Sequence, residues 1–506
     1  MTIRPNAHRD VVGKLWHPAA VRKLGRELAD IAAKALLVED GPVRNPGASQ
    51  FAAKLARRPA RNTNLSAVVR EIQRASLQLS HPRYVAQQVA APIPAAALVE
   101  SVVAAMNQSL AAWEMSPIAT AIDRDLISRF KRLFGYSEKA EGSLVPGGAF
   151  SNLTALLAAR DWLEPGASKR GRARIALIAG AQSHYSVARS AAILGLGTDA
   201  LFRVPIDPAF GTDSARVPEA FAAARKAGFR KFILIGSSGS TPTGSFDDLV
   251  ALRKIATQHR AWFHVDAAHG GGIAFSRRFR KRLRGLGMAD SITFDPHKMM
   301  FMPLSAGGLL VRDGARLAQP LQEHAPYLFG ARRRWLDIGQ VTIACSQRFD
   351  ALKVWLLWRA YGPQLWDALT THACEVAQAA FQYCARSAVL EPSHEPHSNI
   401  LCFHLRHTSG PDADRKLWAI KEELNESGFG YLSSTVLEGR RVLRLVVMNP
   451  RTTAADVHEV LSRVERIAKG RRRDRWVCAK KFRSGWRGRM GQVRQPALHE
   501  FFRVVL

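Results

Sequence analysis

Cysteine is scarce in this chain: five in 506 residues (Cys345, Cys374, Cys384, Cys402 and Cys478), an odd number with no C-x-x-C pair. That argues against a disulfide framework and a zinc knuckle, and it fits a reducing cytoplasm. Long apolar runs are missing too. No stretch comes near the roughly eighteen uninterrupted apolar residues of a membrane span, and the opening MTIRPNAHRD has no apolar signal core, so neither a membrane anchor nor secretion is expected. Acidic residues are few, 42 against 73 basic ones, for a net charge of +31. Such a balance raises polyanion binding. The basic residues are nevertheless spread along the chain, apart from one dense patch near the end, and neither zinc-finger spacing nor an RNA-binding aromatic signature accompanies them. Non-specific contact with polyanions is expected, and no specific nucleic-acid recognition.

What is present is ordinary for a globular protein: 47% hydrophobic and 23% charged residues, over a length suited to two or three domains. Residues 1–80 read as a helical N-terminal arm, broken by Gly41-Pro42 and Asn45-Pro46-Gly47, with too little apolar surface to stand alone. The arm should pack on the rest of the chain or on a second subunit. Residues 81–362 form the main domain. Helices are expected over 95–107 and from Pro117 through Ile127 and Phe130. Short apolar runs at 175–178, 232–235, 262–265, 291–294 and 309–311 then alternate in part with helical segments at 218–227 and 247–259, the latter with Asp247 as N-cap. That rhythm predicts an α/β domain whose mainly parallel sheet is covered on both faces, with ligands at the strands' carboxyl ends. A helix over 350–361, closed by Gly362-Pro363, leads into a small C-terminal α+β domain, 363–469, with strands at 399–403 and 442–447 and a last helix over 453–468. Residues 470–506 are a basic, aromatic-spotted tail.

Chemistry gathers at the ends of the predicted strands. The run 291–294 stops at Asp295-Pro296, and the turn delivers His297 and Lys298 before the apolar run 307–311, an unlikely place for a solvated lysine. The strand at 262–265 ends on Asp266 and a glycine cluster, so a carboxylate and an amine can meet around one ligand. Gly147 and Gly148 precede a clear helix with Ser151 as its expected N-cap, which makes an anion cradle of free N–H groups and helix dipole. His184 stands beyond the strand at 175–178, placed to give a flat ligand a flat partner. Gly236 to Thr241 closes another strand with glycines and hydroxyls suited to close backbone approach.

Taken together, HPRY (81–84), PGGAFSNL (146–153), QSHYS (182–186), the GST turn (239–241), HVDAAHGGG (264–272), ADSITFDPHKMM (289–300), YLF (327–329), RFDALK (348–353) and LRLVVMNP (443–450) resemble, in order, the motifs of the pyridoxal-phosphate-dependent amino-acid decarboxylases that act on glutamate, cysteine sulfinate, 2,4-diaminobutyrate and aromatic amino acids. The resemblance covers about residues 80 to 469. It implies the fold-type-I transferase architecture and pyridoxal 5'-phosphate as cofactor. Lys298 would bind the cofactor covalently and Asp266 would pair with its ring nitrogen. His184 would stack on one face of the ring and Ala268 would lie against the other. Gly148, Ala149, Phe150 and Ser151 would hold the phosphate, with Ser240, Thr241 and His297 completing the cofactor site. Arg444 would take the substrate carboxylate, Tyr327 would return a proton to Cα, and Gln87 would face the substrate side chain. No metal is expected.

The implied reaction is α-decarboxylation of an L-amino acid to an amine and carbon dioxide, by a cytoplasmic homodimer with its active sites at the subunit interface. QSHYS, PGGAFSN and YLF lean toward an acidic substrate: glutamate, aspartate or cysteine sulfinate. Diaminobutyrate, an aromatic amino acid and another carbon–carbon lyase reaction are the alternatives within enzymes. A basic, cofactor-free binding protein is the alternative outside them. Three departures from the family pattern bear on substrate identity: Asp295 where several members carry asparagine, His269 where an aromatic often stands, and the segment 301–308.

Overall fold

The computed structural model describes residues 16–38, 40–44, 64–321, 325 and 337–470. Tyr327 and the tail from 471 lie outside the described residues. A seven-stranded sheet forms the centre, built of β1 (Glu141–Val145), β2 (Ile175–Gly180), β3 (Leu201–Val204), β4 (Lys231–Ser237), β5 (Trp262–Ala267), β6 (Ser291–Phe294) and β7 (Gly307–Val311) in the order β1-β7-β6-β5-β4-β2-β3. Strands β2 to β6 pair in parallel, and β7 runs antiparallel to both β1 and β6.

Continuous apolar strands follow from burial on both faces. In β2, Ile175, Leu177 and Ala179 face a layer built from Ala155, Leu156, Ala158 and Ala159 of the helix Gly148–Leu163, whereas Ala176 and Ile178 face Phe221 and its neighbours on the other side. Strands β1 and β3 escape sequence reading because neither has that character: β1 opens on Glu-Gly-Ser, and β3 is a four-residue edge strand with an exposed arginine.

Two expected helix starts are displaced. Asp248, not Asp247, caps the helix Leu249–Gln258, accepting from the N–H of Val250 and Ala251. Asp247 is buried and accepts from Thr212 N (2.7 Å), Thr212 Oγ1 (2.9 Å) and Ser237 N (2.8 Å), fastening the end of β4. Likewise the helix Gly148–Leu163 starts from Gly147, and Ser151 lies inside its first turn with Oγ donating to Gly308 O of β7 at 3.0 Å. Gly147 and Gly307 touch backbone to backbone: a Cβ on Gly307 would stand 2.4 Å from Gly147 Cα.

The second layer is a four-stranded antiparallel sheet, β8 (Leu390–Pro392), β9 (Ile400–Leu405), β10 (Ser433–Leu437) and β11 (Arg440–Val446), in the order β10-β11-β9-β8. Helices Gln364–Arg386, Gly410–Glu426 and Ala454–Gly470 supply its core. An upstream segment joins it. Val85 N donates to Tyr431 O and Val446 N to Val85 O, each at 3.0 Å, and Ile93 N donates to Phe301 O at 2.9 Å, where Phe301 N in turn meets Lys298 O. The turn carrying Lys298 is thereby tied to the small sheet through a fully buried phenylalanine.

In the arm, the helix Pro18–Leu36 buries only Ile31 and packs on the helix Leu65–Ala75. Among the described residues no helix is long and apolar enough to cross a membrane, and no cluster of three His, Cys, Asp or Glu could hold a metal.

Candidate active site

A cleft opens at the carboxyl ends of β4 and β5. Its wall contains Gly148, Ala149, His184, Ser240, Thr241, Asp266, Ala268 and Lys298, all anticipated from sequence, with Ser237 and Gly239 of the turn after β4, and Asn152, Gln182 and His269, to which no role was given. Phe150, Ser151, His297, Arg444 and Gln87 are not part of that wall. Ser151 is turned toward β7, and Gln87 is exposed.

Asp266 lies one residue from the end of β5, where strand geometry aims it into the cleft. Its Oδ2 accepts from Asn152 Nδ2 at 2.8 Å and its Oδ1 from Ala268 N at 3.1 Å, both neutral donors. Asn152 is one helical turn from Gly148, so helix periodicity puts both on one face. Behind it, His264 shares a face of β5 with Asp266 and meets Asn152 Oδ1 through Nε2 at 3.0 Å. Burial holds the His264 imidazole down to about 4 and hence neutral. His184 is pushed down by burial against the opposing pull of Asp266, with Lys298 adding to the depression.

Lys298 Nζ sits 3.1 Å from Asp295 Oδ2, and His297 Nε2 lies 3.5 Å from the same oxygen. Ala306 N donates to His297 Nδ1 at 3.1 Å, so the ring proton is on Nε2 and faces Asp295. Burial lowers the His297 pKa. The Asp295 side chain is 1% exposed, and a Cβ on Gly148 would stand 2.8 Å from its Oδ2 and 2.9 Å from Ala268 Cβ. The glycine therefore lets the helix start approach the cleft floor.

His269 is buried and donates through Nε2 to Asn399 Oδ1 at 2.7 Å; the Asn399 amide is oriented by its Nδ2 donating to Val447 O at 2.7 Å. Nδ1 of His269 is therefore an acceptor, and it has no donor among the described residues. Burial, with Lys298 and Arg444 nearby, drives the His269 pKa down to about 3. Arg444, 4% exposed, grips Thr241 O (2.8 Å), Pro242 O (3.1 Å) and Ala86 O (3.2 Å), joining the small sheet to the turn after β4.

An amine and a braced carboxylate at neighbouring strand ends, an imidazole beside them, and a glycine-floored helix start ringed by hydroxyls make a fitting seat for a flat, phosphorylated aldehyde. Fold and site together define a fold-type-I pyridoxal-phosphate enzyme.

Comparison with known proteins narrows that class. The family model described as the pyridoxal-dependent decarboxylase conserved domain matches residues 49–406. An L-2,4-diaminobutyrate decarboxylase of Rhizobium meliloti is 34% identical over 429 residues, covering 81% of this chain and 83% of the relative. A cysteine sulfinic acid decarboxylase of Rattus norvegicus is 30% identical, covering 78% and 83%. The crystal structure of mouse CSAD superposes with a TM-score of 0.83 at 25% identity, covering 89% and 99%. This chain belongs to the pyridoxal-dependent decarboxylase family, and is a carboxy-lyase acting on an amino acid.

Proposed function

We propose that the substrate is a short L-amino acid with a distal amino group, of the 2,4-diaminobutyrate kind, in place of the acidic substrate that the sequence motifs favour. One observation carries this reading. Among the described wall residues Lys298 is the one cation, while His269 is neutral and its Nδ1 is an acceptor with no donor among the described residues. A second substrate carboxylate would go unpaired there, and an unpaired buried charge is costly. A distal amine would instead meet a neutral acceptor, Nδ1 of His269. The relative that acts on diaminobutyrate agrees with this choice.

Bound pyridoxal phosphate supplies the electron sink for the breaking Cα–carboxylate bond. Lys298 provides the amine that holds it, and Asp266 the negative charge that keeps its ring nitrogen protonated. His184, neutral and half-buried, provides the flat face. Ala149 and the N–H groups following Gly147, with Ser240 and Thr241, receive the phosphate. Arg444 is the proposed anchor of the substrate carboxylate; it stands behind the cleft wall, tied to the carbonyl of Thr241 and close enough to help hold His269 neutral. Tyr327 returns the proton to Cα.

The working unit is a cytoplasmic homodimer. Leu98, Val102 and Met106 on the helix Pro94–Met106, and Leu65, Val69 and Ile72 on the helix Leu65–Ala75, form exposed apolar stripes at helical spacing, which favours a second subunit as their cover.

Carbon dioxide release from 2,4-diaminobutyrate, glutamate, aspartate, cysteine sulfinate and aromatic amino acids tests the substrate. Diaminobutyrate should give the highest kcat/KM; a preference of about tenfold or more for an acidic substrate would overturn the choice. With Tyr327→Phe, product should shift from amine toward aldehyde in air, and clean amine formation at wild-type rate would remove the tyrosine from its role.

A further inference from the structure

The hydrogen bonds behind Asp266 form one chain whose proton directions are all determined. Trp262 Nε1–H donates to Ser291 Oγ (2.9 Å), and the Ser291 hydroxyl donates to His264 Nδ1 (2.8 Å), because the proton of the neutral ring is on Nε2, facing Asn152 Oδ1. His264 Nε2–H then donates to Asn152 Oδ1 (3.0 Å), which orients the amide. Its two N–H bonds go one to Asp266 Oδ2 (2.8 Å) and one to Ser186 Oγ (2.9 Å). The backbone N–H of Ser186 donates to His184 Nδ1 (3.3 Å), which makes that nitrogen an acceptor, so the Ser186 hydroxyl at 2.8 Å donates to it as well. The carboxylate of Asp266, which can only accept, sets the directions back through Asn152 and His264 to Ser291, and the Ser186 N–H sets that of the link to His184. Trp262, His264, Ser291, Asn152 and Ser186 are all buried, so water does not compete.

We infer that Asn152 is a positioning residue: one amide, aimed by neutral His264, sets the carboxylate of Asp266 and the ring of His184 in register with each other. Two side chains that would meet opposite parts of the cofactor, its ring nitrogen and its face, are thereby held by the two hydrogens of a single planar group. A planar amide fixes their separation and relative tilt, which independent anchors would not. The chain also fixes the tautomer of His184, with Nδ1 as acceptor and the proton on Nε2.

This inference rests on the cofactor reading above, and the experiment separates the two. Wild-type holoenzyme is first reduced with borohydride; failure to trap the cofactor on Lys298 would sink that reading, whereas a normally loaded wild type leaves only the role of Asn152 at stake. Asn152→Asp, Ser186→Ala, His264→Gln and His264→Leu are then compared by pH titration of the bound-cofactor absorbance and by kcat and KM. Asn152→Asp sets a second carboxylate against Asp266, so the titration midpoint should move by about one pH unit or more. Its kcat should fall about 100-fold with KM within about threefold. Ser186→Ala cuts only the branch to His184: kcat should fall about tenfold while the titration midpoint stays in place. His264→Gln keeps a donor toward Asn152 and should stay closer to wild type than His264→Leu. If Asn152→Asp does not fold, the Ser186 and His264 variants decide alone. Titration midpoints and kcat all within about twofold of wild type, or losses confined to KM, would overturn the inference.

Discussion

Two carboxylates stand at the ends of adjacent strands, Asp266 on the cleft wall and Asp295 buried behind its floor, and they are held in opposite ways. Asp266 is braced by neutral dipoles, the Asn152 amide and the Ala268 N–H, so its charge remains available to a cation arriving from outside. Asp295 is nearly inaccessible and already faces the Lys298 amine at 3.1 Å and the His297 ring at 3.5 Å, while its Oδ1 has no donor among the described residues. The first is organised to act on a ligand; the second organises the nucleophile. Identical side chains thus differ in function because one is surrounded by dipoles and the other by titratable groups.

That contrast can be tested from its strongest consequence downward. Lys298→Ala removes the amine on which the ionic side depends, and should abolish both turnover and borohydride trapping; wild-type rates would refute the assignment. Asp266→Asn removes the charge and turns one of the two braced acceptors into a donor. It should cost about 3–5 kcal/mol in kcat/KM, the scale for breaking a buried charge pair, and a loss under about tenfold would erase the distinction between the two acids.

The neutral side also predicts acid lability. His264 and His269 titrate near 4 and 3 in the folded chain against 6.5 in an unfolded one. As pH falls below 6.5 the unfolded chain takes up protons that the native state refuses, so stability present above that pH is lost progressively toward pH 4. Each buried imidazole accounts for on the order of 3 kcal/mol. Urea unfolding between pH 7 and 4.5 should show the decline, and His264→Gln should flatten it. Smallest of all should be Asp295→Asn, which keeps the shape and a neutral acceptor: kcat is expected within about tenfold of wild type, measured on enzyme loaded with cofactor.

Much of this was legible in the residues. The runs of β2, β4 and β7 were recognisable as strands because burial on both faces makes them continuously apolar, those of β5 and β6 by their aromatic and β-branched residues, and Asp266, Lys298, His184 and the glycines of the cradle stand beside turns that motif order makes conspicuous. The braces were harder to see. Asn152 and His264 sit inside quoted motifs, yet neither adjoins a turn, and only periodicity reveals them: four residues from Gly148 on a helix, two from Asp266 on a strand. Asp247 and Ser151 misled for a related reason. Each is a good capping residue, but tertiary partners, Thr212 and Ser237 for one and Gly308 for the other, outbid the local helix end. Arg444 shows the limit from the other side, since its hold on three backbone carbonyls links segments more than two hundred residues apart.

The backbone contact between Gly147 and Gly307, and the tight seat of Gly148 against Asp295 and Ala268, have a consequence for variation. The cradle floor offers no side chain to exchange, and any added carbon would displace a strand or a carboxylate. Variants with altered grip on the cofactor will therefore arise at its rim, at Ser240 and Thr241, whereas selection or design at the floor returns only glycine.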